Sequence, residues 1–155
     1  EAQKKILKSN QKIVCHFSGG FNKKFNNTNI SHAEICQAFF LKIMKEYDLK
    51  DIEIKLHKNN NNTVEEAIYF GSYFKDNIKC NIQNNIKIIT NDWHKARSEY
   101  LFDKVYEFYE INKYEIIGVK SDIIDKHLIN DENDKLTQLK EMPYGCWKEW
   151  LINNY

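Results

Sequence analysis

Ile86-Lys87-Ile88-Ile89-Thr90-Asn91-Asp92-Trp93-His94-Lys95-Ala96-Arg97 decides the fold class. Ile86 to Thr90 is short, apolar and β-branched, the pattern of a strand in a buried parallel sheet. Trp93 to Tyr109 then switches to helical period. At about 100° per residue, His94, Arg97, Leu101, Val105 and Phe108 fall on one stripe, so a strand runs directly into a helix that lies back on it. The same alternation extends outward in both directions. Lys12 to Ser18 and Ile52 to His57 read as strands upstream, and Tyr114 to Val119 as one downstream. Helices are expected over Glu1 to Lys8, Ser31 to Asp48 (with Cys36, Phe40, Ile43 and Tyr47 inward) and Thr63 to Lys75 (with Val64, Ala67, Ile68 and Gly71 inward). Asp131 to Tyr155 reads as mainly helical, broken near Pro143 and Gly145. Strands alternating with helices argue for an α/β fold with a mainly parallel sheet, helices on both faces and a helical C-terminal extension.

The bulk composition narrows the function classes. The length of 155 residues fits one domain with its own core, and an apolar fraction of 42% supports a globular chain. A net charge of +1 and the lack of a basic stripe argue against nucleic-acid binding. No apolar run approaches the roughly 18 residues of a membrane helix. Cys15, Cys36, Cys80 and Cys146 are scattered without metal-ligand spacing, which points to a reducing, intracellular (cytoplasmic) setting and no metal. The four-Asn stretch Asn59 to Asn62 reads as a solvated loop.

One residue type stands out. Lys and Arg together number 23, yet Arg97 is the lone arginine in a composition rich in Asn, Ile and Lys. Lysine replaces arginine freely where any cation serves, so a surviving guanidinium suggests a task for a planar fork that grips carboxylate or phosphate at two points. Arg97 and His94 share the core-facing stripe near a helix start, where the macrodipole favours anions. An external anion held there would satisfy both residues; the competing reading is an internal carboxylate such as Glu34, Glu65 or Glu66.

In open α/β sheets the ligand crevice lies at the carboxyl ends of the strands. Three strand-to-helix junctions are expected at that edge. Ser18-Gly19-Gly20 would bring exposed backbone amides, or would form an ordinary tight turn. Asn62-Thr63-x-Glu65 would cap a helix start, as would Ser31-x-x-Glu34. Asn91, His94 and Arg97 complete the set. His94 is the candidate acid/base, and no nucleophile with an adjacent base is visible in the sequence.

These residues together resemble the YdcF-like family, a domain family of largely unassigned chemistry that includes the SanA and ElyC envelope proteins. Its members show an apolar strand ending in Ser-Gly-Gly, a Ser-Glu-Ala-like helix start, an Asn-Thr-x-Glu segment, and a Thr-x-x-x-His-x-x-Arg segment after a strand. Here the matches are Ser18-Gly19-Gly20, Glu34, Asn62-Thr63-x-Glu65, and Thr90 with His94 and Arg97. Order and spacing agree over about residues 13 to 120. The resemblance implies a Rossmann-like three-layer sandwich whose matched residues line one pocket, with a nucleotide-like or S-adenosylmethionine-like ligand. His57 stands where the family usually has Glu, and Glu66 where it usually has Asn. The family's first strand and glycine-rich turn would precede a helix such as Glu1 to Lys8 and are expected to be missing here. The leading expectation is therefore a small-molecule-binding domain for an anionic ligand, with Ser18, Gly19, Gly20, Glu34, Asn62, Thr63, Asn91, His94 and Arg97 as contacts. The alternative is an inactive scaffold or protein-interaction domain retaining the fold, with Trp147 and Trp150 on a docking face or packed inward.

Overall fold

A computed structural model describes residues 13–21, 28–77, 85–121, 126–143 and 146. The expected helix at Glu1 to Lys8 and the aromatics Trp147 and Trp150 lie outside the described residues. The fold is mixed α/β, with every described strand in a parallel pair. The chain divides into two compact units, Glu1–Asn62 and Thr63–Tyr155. Among the described residues no helix is long and apolar enough to cross a membrane.

In the first unit, β1 (Ile13–Ser18) pairs in parallel with β2 (Ile52–His57), in register from Ile13 opposite Ile52 to Ser18 opposite His57. The period of two puts Ile13, Cys15 and Phe17 on one face with Ile52, Ile54 and Leu56. That face receives the connecting helix α1 (His32–Glu46), with the Phe17 and Phe40 rings 5.3 Å apart. The other face carries His16, Ser18, Lys55 and His57.

A complete capping box starts α1. Ser31 Oγ accepts from the Glu34 backbone N–H, and Glu34 accepts from the Ser31 backbone N–H at 2.9 Å. The inward stripe differs from the expected one. Ala33 is buried and Cys36, Phe40 and Met44 are half-buried, while Ile43 and Tyr47 are exposed. Ile43 and Tyr47 fall on the same side of the wheel as Cys36 and Phe40, but Ile43 lies in the last turn of α1 and Tyr47 just beyond its end.

The second unit contains α2 (Thr63–Asn77), β3 (Ile86–Asn91), α3 (Asp92–Phe108), β4 (Tyr114–Val119) and α4 (Lys126–Glu141). β3 and β4 pair in parallel from Ile86 opposite Tyr114 to Asn91 opposite Val119. The core forms where Ala67 and Ile68 of α2 meet Phe102, Val105 and Tyr106 of α3 and Ile116 of β4. Gly71 allows the close approach: a Cβ there would press into the Tyr109 ring and stand 3.0 Å from Val105. β3 departs from the expected strand buried on both faces. Ile86, Ile88 and Thr90 are half-buried, whereas Lys87, Ile89 and Asn91 are exposed, Ile89 by 69%. Only the Ile88 face packs on the helical core. On α3, Leu101 and Val105 are fully buried as expected, but Phe108 is 39% exposed. The C-terminal helix begins earlier than Asp131 and ends at Glu141, just ahead of Pro143.

Candidate functional site

The expected site residues divide between the units. Ser18, Gly19, Gly20, Glu34 and Asn62 belong to the first, and Thr63, Asn91, His94 and Arg97 to the second.

In the first unit the glycine turn is held by backbone pairing. The Gly19 amide donates to the His57 carbonyl at 3.1 Å and the Gly20 amide to the Asn60 carbonyl at 2.7 Å, so neither amide is aimed at a ligand. Gly19 has φ of +135°, a region open mainly to glycine, and a Cβ on it would strike the His32 ring at 2.8 Å. A Cβ on Gly20 would meet the Asn61 side chain and the Lys58 carbonyl. The turn also corrects the reading of the asparagine stretch as solvated. Asn60 is buried, and its amide donates to Ser18 Oγ at 3.0 Å, which uses the serine to close the loop.

Glu34 serves its own helix cap and also pairs with Lys58 at 2.5 Å. Lys58 and the Ser31 hydroxyl and amide hold the Glu34 carboxyl down to about 2. Asn62 is exposed, one residue before α2. His57, a departure from the family pattern, meets His16 across the strand pair, with Nδ1 of His16 2.9 Å from Nε2 of His57. The ring planes differ by 7° and the centroids lie 5.1 Å apart. Each nitrogen sits just over one ångström from its own ring centre, so these values place the rings tip to tip in one plane, joined by an N–H···N bond. Burial is the main cause that lowers both, His16 to about 4, with the neighbouring His57 and Lys55 adding to it for His16, and Lys55 for His57.

The second unit holds the denser cluster. Arg97 is tied to a carboxylate of the C-terminal helix, Glu132. Its Nε donates to Oε2 at 2.5 Å and its Nη2 to Oε1 at 3.0 Å, the two-point grip anticipated for the lone guanidinium. None of Glu34, Glu65 and Glu66 fills that place. Glu132 Oε2 also lies 2.5 Å from Nδ1 of His94. Burial pushes the Glu132 carboxyl up, but the bonds from His94 and Arg97 outweigh it and bring it down to about 2. An ionised carboxylate only accepts, so Nδ1 of His94 carries the proton. Arg97 Nη2 stands 3.3 Å from the same Nδ1, a contact between two donors and therefore not a hydrogen bond.

When the ring is neutral, the proton on Nδ1 leaves the far nitrogen of His94 as an acceptor. It stands 3.1 Å from Oγ1 of Thr63, the first residue of α2. Thr63, His94 and Glu132 thus form a line from hydroxyl to imidazole to carboxylate, with Arg97 gripping its far end. The side chains of His94, Arg97 and Glu132 are 17%, 15% and 9% exposed, so the array is largely shielded from water. Lys135, one turn on from Glu132, adds a weak contact at 3.8 Å. Asn91 is the N-cap residue of α3 and is exposed, its side chain making no capping bond.

Glu132 was not among the expected residues, although its signal is in the sequence. Ile129, Glu132, Leu136 and Leu139 share one helical stripe, on which Glu132 is the single acid. An acid on the inward stripe of one helix and a cation on that of another predict each other, because neither charge is tolerated there alone. Among the described residues no group of three or more His, Cys, Asp or Glu could hold a metal ion. Comparison with protein-family models, curated proteins and solved structures finds no match.

Proposed function

We propose that this chain is a small-molecule-binding domain of the YdcF-like kind. The ligand is anionic or nucleotide-like, phosphate-bearing or resembling S-adenosylmethionine, and engages Thr63 and His94 where α2 begins. The observation that carries this reading is the preset state of His94. A shielded carboxylate, itself gripped by arginine, fixes the imidazole tautomer and turns Nε2 toward a hydroxyl at the positive end of a helix. Proteins tolerate buried charge of this density mainly where orientation matters more than stability. Arg97 takes a different role from the expected one, holding Glu132 in place of an external anion. The finer architecture of the resemblance, a Rossmann-like three-layer sandwich, belongs to this proposal, as does an intracellular setting, which the free thiols of Cys15, Cys36 and Cys146 support.

Thermal shift against nucleotides, S-adenosylmethionine and inorganic phosphate tests it. A ligand at 100 times its dissociation constant stabilises by about 2.7 kcal/mol. That shift is expected in the wild type and is lost in His94→Ala. Arg97→Lys, which keeps the charge but not the fork, weakens it by loosening Glu132. A panel without response favours a second reading, an interaction scaffold retaining the fold. The observation behind that reading is that Glu132 already occupies the Nε and Nη2 edge of the Arg97 guanidinium.

A further inference from the structure

We infer that Thr63 is a nucleophile and that Thr63, His94 and Glu132 form an acyl-transfer relay acting on a small activated carboxylic ester. The inference rests on the reading of Thr63 and His94 as the ligand-facing groups and assigns them a reaction.

The geometry supplies each part of the relay in the order the chemistry requires. Nδ1 of His94 is protonated and held by a carboxylate at 2.5 Å, so the lone pair is on Nε2. That nitrogen lies 3.1 Å from Oγ1 of Thr63, within reach for taking the hydroxyl proton. As Oγ1 attacks an ester carbonyl, its proton passes to Nε2 and a carbon–oxygen bond forms. The ester's bond to its leaving group then breaks, and the leaving oxygen or sulfur departs with the proton from Nε2. Water, deprotonated by the same nitrogen, attacks the acyl-threonine. It releases the acid and returns the proton to Oγ1, so atoms and protons balance without a co-reactant.

The imidazolium formed in each half-reaction faces Glu132 at 2.5 Å and Arg97 at 3.3 Å. The nearer, hydrogen-bonded carboxylate dominates and stabilises it. Arg97 and Glu132 are positioning residues: the fork fixes the carboxylate plane, and the carboxylate fixes the ring. Thr63 heads α2, where the positive end of the helix favours the oxyanion that develops beside it. Phosphoryl transfer is less well served, because it calls for a cation on the transferred group and the Arg97 fork is committed to Glu132. Thr63 is half-buried and β-branched, so its hydroxyl has few directions.

The test uses the full chain with a fluorophosphonate probe and, separately, p-nitrophenyl acetate, with adducts located by peptide mass mapping. The wild type is expected to carry one adduct, on Thr63, and to release a burst of nitrophenol equimolar with protein. Thr63→Ser, which keeps the hydroxyl, retains labelling, whereas Thr63→Val abolishes it. His94→Ala slows labelling by about 100-fold or more. Glu132→Gln slows it and also changes its pH profile, which a purely structural role for Glu132 would leave unmoved. Wild-type labelling no greater than that of Thr63→Val, or an adduct confined to other residues, overturns the relay. In that event the ligand panel applied to the wild type decides separately: a ligand shift leaves the binding reading standing, and its absence removes both.

Discussion

Replacing Glu132 by Gln keeps the shape of the side chain and removes its charge. In the wild type the carboxylate accepts from Arg97 at two points and from His94 at a third. The substitution leaves a guanidinium that is 15% exposed without its counter-charge. Removing one partner of a buried ion pair costs about 3–5 kcal/mol. The electrostatics of Glu132 give a comparable figure: holding its carboxyl at about 2 instead of 4.5 corresponds to about 3 kcal/mol at 1.36 kcal/mol per pH unit. Both routes predict a loss of about 3 kcal/mol at pH 7 in urea unfolding, in a transition that includes the second unit. For a chain of this length the melting temperature would fall by about 6–12 °C. The pH dependence follows from the sign of the displacement. A carboxyl lowered by folding contributes fully above its unfolded value near 4.5, and that contribution is lost as pH falls toward 2. The gap between wild type and Glu132→Gln should therefore narrow between pH 4.5 and 2. A loss under about 1 kcal/mol at pH 7, or a gap that does not change with acid, would refute the assignment of Glu132 as the charge that neutralises Arg97.

Other positions make separate predictions. Tyr106 is 1% exposed and its hydroxyl has no hydrogen-bond partner among the described residues; Tyr106→Phe should stabilise by about 1 kcal/mol, since an unsatisfied buried hydroxyl costs about 1–3 kcal/mol, read as a raised urea midpoint. Gly20→Ala places a methyl against the Lys58 carbonyl, and the overpacking should cost about 1–3 kcal/mol, measured by chemical denaturation. His16 is lowered by burial to about 4, so the unfolded chain takes up its proton first and stability falls as pH drops from 6.5 toward 4. His16→Asn should flatten that part of the stability curve, and an unchanged slope there would exclude the His16 contribution.

The chain's alternation of patterns announced its elements, because each strand or helix here obeys a local period. The bounds of β2 and β4 coincide with the expected ones, and the capping box at Ser31 and Glu34 is where the spacing placed it. Burial at a helix end was less legible. Ile43 and Phe108 satisfy a stripe drawn by counting, yet each lies in the last turn of its helix and is exposed. The site was legible in part. The isolation of Arg97 predicted a two-point carboxylate or phosphate grip, and the grip is present. Its partner lies 35 residues away, and only matching the lone acid on the inward stripe of α4 to the cation on that of α3 would have found it. Asn60 was hidden for a related reason: its neighbours are also asparagines, and only the approach of Ser18 and Gly20 distinguishes it.

The span between Arg97 and Glu132 has a consequence for the growing polypeptide. At about 5–20 residues per second on the ribosome, an interval of 35 residues lasts about 2–7 s. Throughout that interval the guanidinium has been synthesised and its carboxylate has not. Until then the inward stripe of α3 carries a cation whose burial is disfavoured without its partner, so α4 supplies the charge that lets that stripe pack.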